Sequence, residues 1–451
     1  MSTTRATVTE AQSYPMTELR RPVPKDAEAS PVEESPTDAQ VVQSEAATPV
    51  LKLIVAGYSF FCAGVNDGTL GPLIPYIISS FSIGTGEIAI IYGVTFAGWL
   101  IAAITNPVLT AHLTLGQLLG IGAVLQLAAH FLRPWGPLPL FCAAFLLQSL
   151  GMGYQDSHSN TFVGSLRNVP HRWLSFIHAC YALGCFLGPL IATAVATSAP
   201  GDGDAWRRVY FVLIGICTLN VVGVAVAFRD SLWSKLPHRP SNGNGSEGEE
   251  QKRSRAALRG MARLLKSRTL WLLSIFYFLT LGANFTAGGW VVEFLTTVRG
   301  GDLAAAGYVP TGFYGGMLAG RLLLAEPTFR YGEQRMLLLY SALCVALQLV
   351  FWLQPNIVGS AVALSFIGFF SGPFFATGMS VASKLFSRED QPAALGFVFV
   401  LAQAGGAIFP SVTGLIATSA GVAVLQPIVL TLFVAGGISW WLVPKVPQRS
   451  D

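Results

Sequence analysis

Charged residues are scarce in this chain of 451 residues. Asp, Glu, Lys and Arg together make up 12% of it, whereas roughly 25% is usual in a soluble domain. Hydrophobic residues account for 52%. This composition excludes an ordinary soluble enzyme. The formal net charge is only +4, and the basic residues do not alternate with aromatic ones on a single face, which argues against a nucleic-acid partner.

The sequence also lacks the signatures of metal sites and of hydrolytic catalysis. Its six cysteines lie in apolar segments without CxxC spacing or clustered histidines, so we expect neither a metal site nor a disulfide framework. It contains no GxSxG elbow, Walker loop or HExxH motif. The chain is therefore predicted to have no enzymatic activity and no cofactor.

Long apolar segments dominate the chain beyond residue 49. About 20 apolar residues in a helix cross the ~30 Å hydrocarbon core of a bilayer, and twelve segments approach or exceed that length. Their predicted limits are 50–80, 86–107, 114–132, 137–165, 173–199, 207–228, 270–298, 305–325, 334–354, 357–383, 392–420 and 423–443. The pattern predicts an all-α membrane protein with twelve transmembrane helices.

The polar segments divide these spans into two six-helix bundles. Residues 1–49 lack the apolar core of a secretory signal and are predicted to be a disordered cytoplasmic tail. An N-terminal bundle (50–228) and a C-terminal bundle (270–443) flank a cytoplasmic linker at 229–269, and a short cytoplasmic tail follows at 444–451.

One part of the linker is basic and amphipathic. The segment from Gln251 to Arg268 carries leucines on one side, which predicts a helix lying on anionic lipids of the inner leaflet. A solvated linker is the alternative.

The two halves share a spacing of glycine and proline. Gly184 and Pro189 in the fifth span recur as Gly405 and Pro410 in the eleventh, 221 residues later. Such copies indicate parallel repeats related by an axis along the membrane normal. In that architecture a solute binds near mid-membrane between the halves, and rocking of one half against the other gives alternating access.

The distribution of positive charge predicts the orientation. An even number of spans places both termini on one side, and with that side cytoplasmic, 24 of the 28 Lys and Arg residues face inward. Four then face outward: Arg133, Arg207, Arg208 and Arg299. Over the short loops alone the margin is seven against four. We therefore predict a multi-pass plasma-membrane protein with both termini in the cytoplasm.

A carboxylate lies deep in the first span, within GVNDGTLGPLIP at residues 64–75. An ionised Asp at this depth costs at least ~2.5–3.5 kcal/mol, so Asp67 must be paired, hydrated or protonated. Each of these states makes Asp67 a functional candidate, and a packing role is the alternative. The surrounding glycines and prolines predict a loosened helix with free carbonyls beside a water-filled path.

A second deep acid, Asp156, lies in the fourth span within GMGYQDSHSN, one helical turn before Asn160. The positions 221 residues after the two acids hold Gly288 and Thr377, so the deep acids belong to the first half only. Asp67 and Asp156 are therefore predicted to carry out proton coupling, while substrate selection is shared by both halves.

Other polar and aromatic side chains of the spans are candidates for binding a hydroxylated solute. They are Asn66, Asn160, His178, Tyr181, Asn284, Trp290 and Gln403. Packing between helices is the alternative for these residues. Arg321, at the cytoplasmic end of the eighth span, is a predicted gating residue that could form an inner latch with Asp390, Glu326 or Glu389.

These features together resemble the Major Facilitator Superfamily, including GWLIA at 98–102 and GMLAGR at 316–321. GVNDGTLGPLIP, GMGYQDSHSN, FIHACYALGCFLGPLIAT and GGWVVEF are similar to the fucose–proton symporter branch, especially to its fungal members of the bypass-of-stop-codon type. The resemblance implies that Asp67 and Asp156 match membrane acids credited with proton coupling and substrate contact. Bacterial members carry Glu at the position of Asp156, and fungal members usually carry Glu at that of Asn284.

The sequence thus predicts a monomeric secondary transporter whose partners are protons, a small organic substrate and the lipid bilayer. Its expected activity is proton-coupled symport of a sugar-like or other polar molecule. Export of an amphiphilic metabolite is an alternative, favoured by the Phe-rich spans. A sensor that binds a solute without transporting it is an alternative of another class.

Overall fold

A computed structural model describes residues 36–166, 170–199, 201–234, 263–387 and 390–446. The chain divides into two units, residues 1–47 and 48–451, and the packing described below lies within the second. These described residues are helical and contain no strand. Most of the predicted amphipathic segment from Gln251 to Arg268 lies outside them.

The helices follow the predicted spans closely. Those of the first half are α1 (Pro36–Phe81), α2 (Thr85–His112), α3 (Leu115–Leu132), α4 (Leu138–Gly164), α5 (Pro170–Ala196), α6 (Val209–Ala227) and the short α7 (Arg229–Leu232). Those of the second half are α8 (Arg268–Thr297), α9 (Leu303–Gly307), α10 (Val309–Leu323), α11 (Ala325–Tyr331), α12 (Glu333–Leu353), α13 (Ile357–Ser371), α14 (Phe374–Leu385), α15 (Gln391–Ala420) and α16 (Leu425–Trp441).

Two boundaries differ from the prediction. Helix α1 begins at Pro36 rather than near residue 50, since Ala, Gln and Glu in this stretch favour helix and Pro is tolerated in a first turn. The predicted tenth span is divided into α13 and α14 at Gly372 and Pro373. Proline lacks the N–H that a continuous helix would require.

Ten spans among the described residues are long and apolar enough to cross a membrane. Helices α4 and α10 account for the other two predicted spans. Helix α10 has only 15 residues, and α4 contains a run of polar side chains. Both pack within the bundle, α4 against α2 and α3, and α10 against α5 and α13.

Glycines bring α1 and α5 unusually close together. A Cβ at Gly64 would overlap the carbonyl oxygen of Tyr181, and one at Gly68 would lie 2.6 Å from that of Cys185. The segment 64–75 lies within one continuous helix, so α1 is not interrupted there, although Pro72 and Pro75 cannot donate to the carbonyls of Gly68 and Gly71. Its glycines allow close helix packing, which small residues favour in membrane proteins.

The second half repeats this packing. Gly184 of α5 contacts the backbone of α1 at Phe61, and Gly405 of α15 contacts the backbone of α8 at Phe278. The glycines that the 221-residue spacing relates therefore occupy equivalent places in the two halves. The most extensive contacts between the halves are those of α2 with α15 and of α5 with α10.

Several contacts between the halves lie toward the end of the bundle that carries the α1–α2 turn. The Ser411 hydroxyl donates to the carbonyl of Ala89 over 2.8 Å. A Cβ at Gly71 would lie 2.5 Å from the carbonyl oxygen of Gly288, and one at Gly307 would lie 2.7 Å from the Thr193 side chain. We call this the α1–α2 end, and the opposite one the α2–α3 end.

Candidate functional site

Two neighbouring cavities lie between the halves. The larger has about 1000 Å³ of empty space and the smaller about 740 Å³, counted with the solvent to which each is open. Six side chains line both: Asp67, Trp99, Met152, Phe285, Tyr314 and Gln403. Asp67 thus lies where the two cavities meet. This placement follows from the close α1–α5 packing, which brings α5 side chains onto the polar face of α1.

Two neighbours hold the Asp67 carboxylate. Tyr181 of α5 donates its hydroxyl to Oδ2 over 2.7 Å, and the Asn66 amide donates to Oδ1 over 3.1 Å. Hydrogen bonds to a charged group contribute about 1.5–3 kcal/mol each. These donors allow a carboxylate to persist in an otherwise apolar helix pair.

Arg133 lies behind Asn66 and is only 1% exposed. Its Nη1 donates to Oδ1 of Asn66 over 2.9 Å, and its guanidinium lies 3.8 Å from the Phe145 ring centre and 5.3 Å from that of Tyr210. Arg133 lies in the turn between α3 and α4, where the sequence predicts a loop, but its side chain is buried rather than exposed. Side chains of α1, α4 and α6 enclose the guanidinium.

The surroundings of Arg133 compensate its charge incompletely. No carboxylate oxygen of the described residues lies within 4 Å of it, and its Nε and Nη2 have no hydrogen-bond partner there. Burial of an ion costs several kcal/mol, whereas a cation–π contact contributes about 0.5–2 kcal/mol. The ring contacts alone do not offset that cost.

Asp156 lines the larger cavity together with Asn160, both on α4. Oδ1 of Asp156 has no hydrogen-bond partner among the described residues, and the same holds for Oδ1 of Asn284 in the same wall and Oε1 of Gln148 in the smaller cavity. Buried polar atoms normally have partners. These three oxygens are therefore available to a ligand that offers hydrogen-bond donors.

Most of the predicted binding residues meet at this site. Asn66 lines the smaller cavity, and Gln403 lines both. Asn160, His178, Tyr181 and Asn284 line the larger one. Trp290 lies outside both, because its fully buried indole donates to the carbonyl of Pro410 over 3.0 Å. Its observed role is to connect α8 with α15.

Arg321 and Asp390 do not form the latch considered from the sequence. Asp390 lies 3.6 Å from Arg263. Arg321 lines the larger cavity and donates Nη1 to the carbonyl oxygen of His178 over 3.2 Å, which joins α10 to α5. The final turn of α10 directs this arginine toward α5, so it bridges the halves inside the bundle.

Sequence reasoning missed the aromatic wall of the larger cavity. It consists of Phe60, Trp99, Tyr277, Phe285, Tyr314, Phe374, Phe375 and Phe399, in addition to His178 and Tyr181. Aromatic residues occur throughout the spans, and only the rotation of each helix decides which of them face the cavity. Among the described residues, no group of three or more His, Cys, Asp or Glu side chains could hold a metal ion.

A helical membrane bundle with a polar and aromatic cavity between two similar halves has the architecture of a solute transporter. The family model of the Major Facilitator Superfamily matches residues 57–367 and 273–451. The chain belongs to the Major Facilitator Superfamily. It is accordingly a multi-pass membrane protein and a secondary transporter, and it is not an enzyme.

Proteins similar to this chain in sequence include one from yeast and one from mouse. Bypass of stop codon protein 6 of Saccharomyces cerevisiae is 24% identical over 417 residues, which cover 88% of this chain and 82% of the yeast protein. Sodium-dependent glucose transporter 1A of Mus musculus is 24% identical over 345 residues, which cover 68% of this chain and 78% of the mouse protein.

Solved structures share the fold. A D-xylose–proton symporter superposes with a TM-score of 0.68 at 12% identity, covering 88% of this chain and 98% of its own. A nucleoside transporter gives 0.66 at 15% identity, covering 88% and 100%. The Escherichia coli fucose:proton symporter gives 0.59 at 16% identity, covering 87% and 98%. At these identities the likeness establishes the fold alone.

Proposed function

We propose that this transporter moves a small polar organic molecule in symport with protons, and that Asp67 and Asp156 bind the transported protons. The observation that carries the proposal is the position of both carboxyl groups in the wall of one cavity between the halves. The similarity of its motifs to the fucose–proton symporter branch supports the same assignment. Rare intramembrane acids that face a cavity are typical of proton pathways.

The proposed cycle moves protons with the rocking of the two halves. With both termini in the cytoplasm, the α1–α2 end faces outward, and its contacts between the halves close that side. The larger cavity then belongs to an inward-facing state, in which a proton carried by Asp67 leaves toward the cytoplasm. One charge moving down 100 mV supplies about 2.3 kcal/mol to accumulate a neutral solute.

The cavity wall favours a sugar-like substrate. The oxygens of Asp156 and Asn284 that lack partners suit hydroxyl donors. The rings of Trp99, Phe285 and Tyr314 lie in the same walls and can cover the apolar faces of a pyranose or a similar ring. Helices of both halves contribute, so a bound substrate would bridge them.

Uptake by proteoliposomes tests the proposal. The substrate is first identified by comparing metabolites inside and outside cells with and without the protein. Liposomes that contain the purified full-length protein are then given a proton gradient that is acidic outside. We expect Asp67→Asn to abolish accumulation driven by the proton gradient while counterflow of labelled substrate continues. Wild-type accumulation in Asp67→Asn would refute the proton-binding role.

Glu293→Gln provides the matched control. Glu293 is also a buried acid of a membrane helix, being 7% exposed, but it lines neither cavity. We expect its replacement to leave both accumulation and counterflow unchanged. Absence of counterflow from the wild-type protein, together with retained substrate binding, would instead indicate a sensor.

Export of an amphiphilic metabolite is the second candidate function. The aromatic side chains of the larger cavity favour it, since they offer a broad apolar surface. In cells, export predicts that the substrate accumulates inside when the protein is absent, whereas uptake predicts depletion. The metabolite comparison therefore separates the two directions.

A further inference from the structure

We propose that Arg133 is the buried countercharge of Asp67 and acts on it through the Asn66 amide. This inference rests on the proposed proton-binding role of Asp67. It assigns a positioning function to a residue that the sequence places in an outer loop. It also explains why a guanidinium is enclosed where no carboxylate of the described residues contacts it.

The orientation of the Asn66 side chain is the first argument. Its Oδ1 accepts from Nη1 of Arg133 over 2.9 Å, while its Nδ2 donates to Oδ1 of Asp67 over 3.1 Å. The negative end of the amide dipole thus faces the cation and the positive end faces the carboxylate. Both charges favour the same orientation, so the amide transmits the effect of the arginine to the acid.

The rigidity of the arginine is the second argument. Phe145 of α4 and Tyr210 of α6 hold the guanidinium between their rings. Nδ1 of His130 lies 3.3 Å from Nη1, within the same helix end. A cation fixed in this way cannot turn toward solvent when Asp67 gains a proton, so its field acts on the acid throughout the cycle.

Other titratable groups surround the pair and are part of its electrostatics. Those that interact with Asp67 come from five helices or helix ends: Tyr92 of α2, Arg133 after α3, Asp156 of α4, Tyr181 and Cys185 of α5, and Tyr314 of α10. Those around Arg133 itself are His130, Tyr210 and Cys217. Among the described residues, Arg133 is the one arginine or lysine in either set, and Arg321 lines the same cavity as Asp67, next to Tyr181 and Cys185.

The consequence is that Arg133 favours the ionised form of Asp67 in this conformation. A positive field next to a carboxylate makes loss of its proton easier. In the inward-facing state proposed above, this effect promotes proton release after the substrate has entered. Removal of the charge would leave Asp67 able to bind a proton but slow to give it up.

Infrared difference spectroscopy tests the inference without any substrate. The carbonyl band of protonated Asp67, identified by its absence in Asp67→Asn, is followed against pH in the purified full-length protein in lipid vesicles. We expect Arg133→Gln to keep this band up to a pH about one unit higher, which is a tenfold tighter hold on the proton. Arg133→Lys should restore most of the wild-type behaviour.

Two further variants test whether the effect of Arg133 reaches Asp67 through the Asn66 amide. Asn66→Leu keeps the charge of Arg133 and removes the amide, including its own hydrogen bond to Asp67, so it should shift the band in the same direction. Arg133→Lys, which keeps the charge, should shift the band less than Arg133→Gln if the charge itself acts on Asp67. Arg299→Gln is the matched control, because Arg299 also lies 5.2 Å from each of two ring centres, Phe294 and Phe351. Arg299 lies in the second half, its hydrogen bonds and ring contacts are to residues of that half, and its replacement should leave the band unchanged.

The outcomes separate this inference from the proposed function. A band that titrates in the wild type but is unmoved by Arg133→Gln would overturn the role of Arg133 alone, whether or not Asn66→Leu shifts it, because Asn66 also donates to Asp67 directly. An Asp67 that never changes protonation between acid and alkaline pH would overturn the proton-binding role as well. A shift in Arg299→Gln equal to that in Arg133→Gln would also contradict the inference.

Discussion

Tyr181 and Asp67 are joined across the closely packed pair of α1 and α5, the phenol donating to the carboxylate over 2.7 Å. The bond exists because Gly64 and Gly68 let α5 approach the α1 backbone. Two motifs that are 114 residues apart in the sequence therefore form one functional unit. The glycines that permit the packing and the polar groups that it brings together belong to the same two short motifs.

Replacement of Tyr181 by Phe tests the importance of this bond. The ring volume is retained, so the fold should be preserved. The Asp67 carboxylate, however, loses a hydrogen bond that contributes about 1.5–3 kcal/mol to the stability of its charged form. We expect the accumulation ratio driven by the proton gradient to fall about tenfold while counterflow is kept. Tyr58→Phe, which removes a hydroxyl bonded to a main-chain carbonyl instead, is the control. Equal losses in both variants would contradict a specific role.

Gly405 should be sensitive to a single added methyl group. A Cβ there would overlap the Phe278 carbonyl oxygen, whereas one at Gly396 of the same helix would meet nothing within 4 Å. We expect Gly405→Ala to destabilise the protein by about 1–3 kcal/mol, and Gly396→Ala to leave it unchanged or slightly more stable. Thermal unfolding of both purified proteins measures this, and equal melting temperatures would refute the packing argument.

Gly71 should control closure of the α1–α2 end. In Gly71→Ala the new Cβ would lie 2.5 Å from the Gly288 carbonyl oxygen, and parting of α1 from α8 relieves that contact. We therefore expect a cysteine introduced at Thr95, in a chain without its native cysteines, to react faster with an impermeant reagent added at this end. Gly93→Ala, where the nearest atom is 3.9 Å away, is the control. An unchanged rate in Gly71→Ala would contradict the prediction.

Asp204, in the loop before α6, should stabilise the protein only above acidic pH. Hydrogen bonds from Ser80 and Arg207 lower the pKa of Asp204, so the folded state holds its proton less tightly than the unfolded one. The contribution is complete above the ordinary pKa of ~3.9 and is lost as the pH falls through the lower folded value.

An exposed pair of this kind contributes at most about 1 kcal/mol. We expect Asp204→Asn to melt slightly below the wild type near neutral pH and together with it in strong acid. Melting curves across this range check the prediction. A difference that persists undiminished in strong acid would mean that the variant acts through packing rather than charge.

Much of the candidate site could be predicted because its polar residues are rare. Asp67, Asp156, Asn160 and Asn284 stand out in apolar segments, where a polar group is costly unless it has a role. The sequence predicts that Trp290 binds substrate as an aromatic group suited to hydroxylated ligands, but this residue lines neither cavity. Its buried indole donates its N–H to a main-chain carbonyl and packs between helices.

Arg133 shows the opposite case. Charge at the end of an apolar segment normally lies in a loop, and the positive-inside count assumed this. The residue does lie in the α3–α4 turn, but its side chain points toward Asn66, Phe145 and Tyr210, which no local pattern could predict.

The sequence by itself determined the positions of the helices and the family, since hydrophobic length and short motifs are local properties of the chain. Only the tertiary structure decided which side chains share a cavity. Each residue turns the face of a helix by about 100°, and the rotation of one helix against the next depends on contacts such as that of Gly64 with Tyr181. Those contacts join Asp67 to Tyr181, and through Asn66 to Arg133.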